Sequence, residues 1–339
     1  MAQSEELFVI SKQDVLACSF ENWYERFQQH TPHSIILPLS EEFVAYLNAD
    51  GIELPKGAVP SANPNQRDTD SDSSGWGEDG DADSTPEFPD LVHDIKTAMH
   101  ELGGAVLPKL NWSAPKDASW MTGTLCCTSA DDILMLLKGS DFIAHDLNHC
   151  FDDCADASDA SRADTYSLVL RRWISIEESS EFRCFVADGK LLAVSQRMTS
   201  AFFPHLSEMQ AREDLASHLG SWFEQHVKDK FPAKRYVLDV SSNCAPRGKV
   251  LLIDFGPWGP TTDPLLYSWD DLNDMASAVE KPLAADVRVV LSEAEQRASR
   301  LENYHMVPLE VATMGMTTAD EMEGVMRRAE QSLARSEAN

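Results

Sequence analysis

Two aspartates near the C-terminal third of this 339-residue chain are spaced for joint chemistry. The run "YVLDVSSNCAPRGKVLLIDFGPWG" reads as two strands joined by turn-forming residues, and antiparallel pairing is the natural arrangement of such a pair. If the turn is centred between Pro246 and Arg247, Asp239 and Asp254 stand opposite one another and project from the same face. Carboxylates directly opposite on adjacent strands, with Cβ atoms roughly 4.5–5.5 Å apart, repel. A divalent cation such as Mg²⁺ offsets that repulsion, because it accepts one or two carboxylates and completes its shell with water and phosphate oxygens. Protonation of one Asp, a cation such as Arg183 or Lys109 between them, or a shifted register offsets it equally well.

Metal held by two Asp points to phosphate, and phosphate needs cations. Neither a GxxxxGK[ST] loop nor a GxGxxG turn is present, so a helix-cradled P-loop and the dinucleotide-binding turn are excluded. The chain instead places Lys109 in a strand with Lys116 just beyond, Arg171 and Arg172 in "VLRRW", Arg183 in "EFRCF" and Arg197 at the end of "VSQR". Each alone is an ordinary salt-bridge former. Strand-borne cations converging on a carboxylate pair describe a nucleotide clamp between sheets.

Other residues invite chemistry and do not sustain it. "HDLNHCFDDC" gathers His145, His149, Cys150 and Cys154, yet the spacing matches no standard structural zinc pair. Cys126 and Cys127 read as free or buried thiols, and Ser113 in "NWSAP" lacks a neighbouring His to activate it.

The elements that must carry these residues follow from periodicity. "SIILPLS" is a strand, "FPDLVHDIKTAMHELGG" an amphipathic helix stopped by Gly103-Gly104, and "AVLPKLNW" a strand. A short helix is expected over 131–137 and a longer one over 206–231. "YSLVLRRWISI" alternates, and Asp188-Gly189 within "EFRCFVADGKLLAVSQR" marks a two-residue hairpin turn. From about Tyr267 the chain reads as helical and polar, ending in a segment whose Thr318 and Glu321 form a capping box. The sum is an α+β body with mostly antiparallel sheets.

Between Asp68 and Asp83 lie seven acidic residues with no Lys or Arg, interleaved with Ser and Gly. Such a stretch cannot bury enough apolar surface to offset its ordering entropy, so residues 61–86 are expected to be a disordered insert. It serves as a solvated loop, as an acidic tether, or as a phosphorylation target at Ser71, Ser73 or Ser74. The insert separates an N-terminal part, 1–60, from a body over 87–310, with a helical tail at 311–339. With 28 Lys and Arg against 56 Asp and Glu, the net charge of −28 argues against nucleic acid or anionic lipid and for a basic partner. The start "MAQSEELFVI" lacks the pattern of a signal peptide, no window is apolar for about 18 residues, and the seven Cys are scattered. A cytoplasmic protein without membrane association is expected, monomeric when free.

The segments "LGGAVLPKLNWSAPKDASW", "YSLVLRRWISI", "EFRCFV", "AVSQR", "YVLDV" and "LLIDFGPWGPTTDPLLYSW" together resemble the cell division cycle protein 123 family over about residues 15–310. The resemblance implies an ATP-grasp fold and an ATP- and Mg²⁺-binding assembly chaperone, one that joins subunits of eukaryotic translation initiation factor 2 by binding its gamma subunit. It implies that Lys109 and Arg183 contact phosphates, with Arg197 part of the nucleotide site. Trp112, Ala114 and Asp117 would lie along the nucleotide. Arg171, Trp173 and Ile174 would line the adenine side, and Asp239 and Asp254 would hold Mg²⁺. One departure stands out: the family motif "DFNPF" is "DFGPW" here, so the position of an expected Asn ligand is Gly256. Water or its backbone carbonyl would have to substitute, giving a weaker Mg²⁺ site or a diverged paralogue with reduced ATP dependence. A carboxylate–amine ligase and a scaffold without nucleotide are the competing classes.

Overall fold

A computed structural model of the chain describes residues 10–51, 54–55, 88–156, 162–243, 248–278, 284–294 and 296. The acidic insert, the C-terminal tail and the centre of the turn between Asp239 and Asp254 lie outside the described residues. Two compact units divide the chain, Met1–Arg197 with Glu213–Arg288, and Met198–Arg212 with Val289–Asn339. The site belongs to the first.

The N-terminal part opens with helices α1 (Lys12–Ala17) and α2 (Phe20–Phe27), strand β1 (Ser34–Pro38) and helix α3 (Glu41–Asn48). Helix α4 (Pro89–Glu101) leads to strand β2 (Val106–Lys109), and helices α5 (Ala130–Lys138) and α6 (Asp141–Asn148) precede strand β3 (Ser167–Arg172). These strands form a three-stranded antiparallel sheet in the order β1-β3-β2. The helices pack apolar stripes on it: Phe43, Ile95, Leu134, Leu137, Leu147 and Leu168 share one core. Local chemistry starts the helices. Ser40 accepts from Phe43 N, and Ser129 with Asp132 closes a capping box on α5.

The second sheet orders β7-β6-β4-β5-β8 and comprises β4 (Glu181–Ala187), β5 (Lys190–Gln196), β6 (Arg235–Ser242), β7 (Val250–Pro257) and β8 (Asp286–Arg288). Helix α7 (Met209–His226) joins β5 to β6, and α8 (Trp269–Ser277) follows β7. The β4–β5 hairpin turns where expected: Asp188 and Gly189 have φ of 51° and 71°, the two positive values that a type I′ turn demands. Phe185, Leu192, Val237, Trp258 and Leu272 form the core under this sheet. The α+β architecture with mostly antiparallel sheets is therefore as the alternation implied.

Three boundaries differ. β3 stops at Arg172, although Trp173 N still donates to Ala105 O in register with β2. The long helix begins at Met209 rather than Leu206, whose residues form a 3₁₀ turn over Pro204–Leu206. Beyond Tyr267 the chain is not helical throughout, since β8 adds a strand parallel to β5. Three residues carry no readable period, so only their partner reveals them. Among the described residues no helix is long and apolar enough to cross a membrane.

Candidate functional site

Strand register assembles the site. Arg183 on β4 pairs across to Asp239 on β6, and Asp239 pairs to Asp254 on β7, so one row of the second sheet reads cation, carboxylate, carboxylate. The aspartates face each other as expected, though not by turn symmetry alone: the pairs nearer the turn run from Val240↔Leu252 to Ser242↔Val250, one residue out of step, and the extra residue Ile253 restores the facing. Both line a cleft of about 750 Å³ with Lys109, Trp112, Ala114, Arg171, Trp173, Ile174, Arg183, Arg197 and Gly256.

Each carboxylate has its own cation, so the repulsion is met from the flanks. Arg183 grips Asp239 bidentately, Nε donating to Oδ1 and Nη2 to Oδ2, both at 2.8 Å. Arg197 Nε stands 3.5 Å from the same carboxylate. Burial pushes the Asp239 carboxyl up, but Arg183, then Arg197 and Lys116, overcome it and hold the pKa at about 2. Lys109, reaching over from β2 of the other sheet, donates to Asp254 Oδ2 at 2.6 Å, while Asp254 Oδ1 accepts from Phe255 N. Lys109 is 1% exposed, and that desolvation lowers its pKa against the pull of Asp254.

Lys116 is open to solvent at the cleft, yet enough protein surrounds it that desolvation, then Arg197, lowers its pKa. Glu181 shares the cleft and is shifted upward by burial. It lies two residues before Arg183 and so on the same side of β4, a signal available in the sequence and missed there. Asp146 was missed as well, because it sits in a helix and its partners are remote. It is 4% exposed, accepts from Ser113 N at 2.7 Å and Ser113 Oγ at 2.8 Å, and thereby holds the loop that brings Trp112 and Ala114 to the cleft. Burial raises its pKa to about 6.

Asp117 and Arg171 both have their polar groups engaged within the protein, and only Asp117 lies outside the cleft lining. The Asp117 carboxylate accepts from Ser140 Oγ at 2.5 Å and Asp141 N at 2.7 Å, so it caps α6, where a helix start needs an anion. Arg171 borders the cleft, as the resemblance implied, and its guanidinium donates to Ile253 O at 2.8 Å and Thr31 Oγ1 at 2.9 Å. Trp112 also has its indole N–H engaged, by Val15 O. Trp173 and Ile174 border the cleft beyond the end of β3, with Trp173 partly exposed.

The donor set can be tested against Mg²⁺. Among the described residues no three His, Cys, Asp or Glu side chains gather as a metal cage. Two facing carboxylates remain, which is the complement that Mg²⁺ takes when water and phosphate supply the rest. Gly256 presents no side-chain ligand, and the space beside it is filled: a Cβ there would lie 3.3 Å from Thr262 Oγ1. The residues fit a hydrated ion shared with phosphate and do not form a dedicated protein cage.

Fold and site together define a two-sheet α+β protein whose cleft opposes a carboxylate pair with a set of basic side chains. A family model, D123, matches residues 23–315, and the chain belongs to that family. A relative from Sclerotinia sclerotiorum bearing the name "Translation initiation factor eIF2 assembly protein" is 40% identical over 283 residues, covering 81% of this chain and 67% of the relative. A Xenopus laevis protein of the same name is 38% identical over 270 residues, 78% of each chain. The solved structure of C-terminally truncated Cdc123 from Schizosaccharomyces pombe superposes with a TM-score of 0.67 at 32% identity, covering 84% of this chain and 99% of that one.

Proposed function

We propose that this chain is an assembly factor for translation initiation factor eIF2 that holds ATP with Mg²⁺ in the cleft between its sheets. The observation that carries the nucleotide part is the row Arg183–Asp239–Asp254 closed by Lys109, which sets basic donors against two facing carboxyl groups. The ATP-grasp architecture implied by the family resemblance supports it. Lys109, Arg183, Arg197 and Lys116 are the donors available for a triphosphate, and Trp173 and Ile174 offer apolar surface for a base. Asp239 and Asp254 would hold the ion. Mg²⁺ supplies the positive charge that lets a polyphosphate approach two carboxylates. Without it, Lys109 and Arg183 perform that neutralisation, and Arg183's fork keeps Asp239 ionised and oriented.

The relatives' name supports the eIF2 part, and the resemblance narrows the partner to the gamma subunit. A net charge of −28 suits a partner with a basic surface, for which charge complementarity sets association rate and selectivity.

Calorimetry of ATP binding with Mg²⁺ and with EDTA tests the nucleotide reading. Wild type should bind Mg·ATP more tightly than free ATP, and Lys109→Met should weaken both by about tenfold or more, the effect of losing one charge-assisted phosphate contact. Absence of Mg²⁺-dependent binding would refute it. Capture of eIF2 gamma by wild type, weakened by added salt, tests the partner; no capture would refute that part.

A further inference from the structure

Asp254 sits beside an irregularity. Pairing runs Asp239↔Asp254 and then Val240↔Leu252, so Ile253 is an extra residue on β7. A bulge of this kind leaves its extra residue outside the ladder and re-aims the neighbouring side chain. Here the spare carbonyl of Ile253 is taken by Arg171 Nη1 at 2.8 Å, and the other arm of the same guanidinium donates to Thr31 Oγ1 at 2.9 Å. Just before the bulge, Leu252 N donates to His30 O at 2.7 Å. Just after it, Phe255 is locked among rings, stacked on Phe231 with centroids 4.1 Å apart and set edge-on to Trp23 at 5.3 Å.

Helix α2 ties the two cations together. Phe20, fully buried, has Lys109 Nζ and Arg171 Cζ each 5.2 Å from its ring centroid, and its own ring is braced by Trp23 and Tyr24. Buried cations gain from an aromatic face. Arg171 is 5% exposed and its Nε has no hydrogen-bond partner among the described residues, a placement that stability alone does not favour.

We propose that Phe20, Thr31 and Arg171 are positioning residues: they clamp the β7 bulge at Ile253 so that Asp254 faces Asp239 with Lys109 on its flank, in the orientation that accepts a metal–nucleotide. The inference rests on reading the aspartate pair as the Mg²⁺ site, and it adds residues outside that site which decide whether the pair works. Arg171 serves because its rigid planar fork holds two separated acceptors in fixed directions, which the single ammonium of a flexible Lys does not.

Thr31→Val, nearly isosteric, and Arg171→Lys test the clamp, with Phe20→Leu as a third variant. Two readouts are measured on the full chain. The first is the ratio of ATP dissociation constants in EDTA and in Mg²⁺; the clamp predicts that this ratio falls about tenfold in Arg171→Lys and less in Thr31→Val, while affinity in EDTA moves by less than about twofold. The second needs no nucleotide: amide hydrogen exchange over 253–256 should quicken while exchange in the α4–α5 core keeps its wild-type rate. An unchanged ratio with unchanged local exchange overturns the proposal. So does a uniform rise in exchange across the chain, which marks a merely structural role. If wild type shows no Mg²⁺-dependent ATP binding, the functional reading fails, and the exchange measurement by itself still decides the clamp.

Discussion

Replacing Asp239 with Asn keeps the size of the side chain and one acceptor while removing the charge that Arg183 holds. The carboxyl is 17% exposed, bound by both arms of the Arg183 fork and approached by Arg197 at 3.5 Å. Its pKa of about 2 against an ordinary 3.8 corresponds to about 2 kcal/mol, since one pH unit is worth about 1.4 kcal/mol. Because the folded value is the lower one, this contribution is complete above pH 3.8 and fades as pH falls toward 2. Arg183, 8% exposed, is left with one arm on Asp263 O and the remainder short of an anion, which adds to the loss. Urea unfolding of wild type and Asp239→Asn, followed from neutral to acid pH, should therefore show a gap of about 2 kcal/mol or somewhat more at pH 7 that narrows in acid. A gap that stays constant across the pH range would refute the ion pair as its source. An absent gap would show that the pair contributes nothing net to stability and that its geometry exists for the site alone.

Two further outcomes follow from contacts around the site. Asp146→Asn should stabilise the protein at neutral pH by about 1–2 kcal/mol, because the amide oxygen can still accept from Ser113 N while Ser113 Oγ accepts from the amide nitrogen, and a buried charge is removed. Its folded pKa of about 6 exceeds the ordinary 3.8, so wild type itself gains stability as pH falls between those values, and the advantage of the variant in thermal unfolding should shrink there. Gly256→Asn should not by itself improve Mg²⁺ binding: its Cβ would come 3.3 Å from the hydroxyl of Thr262, which is buried and donates to Pro257 O. The substitution should cost about 1 kcal/mol from crowding. Adding Thr262→Ala should relieve that cost and let the new amide oxygen reach the ion, read as tighter Mg²⁺ dependence of ATP binding; tightening in the single variant would overturn this account.

Local rules carried much of the architecture. A short apolar run marked β1, alternation marked β3, Asp188-Gly189 marked the β4–β5 turn, and an assumed turn centre placed Asp239 opposite Asp254, a facing that the bulge at Ile253 in fact secures. These features are written within a few residues, where backbone sterics and strand period act directly. The family likewise lay in contiguous motifs.

Tertiary packing decided what those residues touch. That Lys109 would settle on Asp254, 145 positions away and on another sheet, depends on how two sheets approach, and no local period encodes it. The same holds for Arg171, whose head serves the bulge at Ile253, and for Asp117, whose carboxylate caps α6. The bulge itself is invisible to turn symmetry: the pairs nearer the turn, Val240↔Leu252 to Ser242↔Val250, are one residue out of step with Asp239↔Asp254, and the extra Ile253 makes up the difference. Strand β8, at three residues, exists because β5 offers it an edge. Residue types and spacing determined which charges the chain could bring to one face. Close packing, which places each charged head where its desolvation is compensated, determined the partner of each.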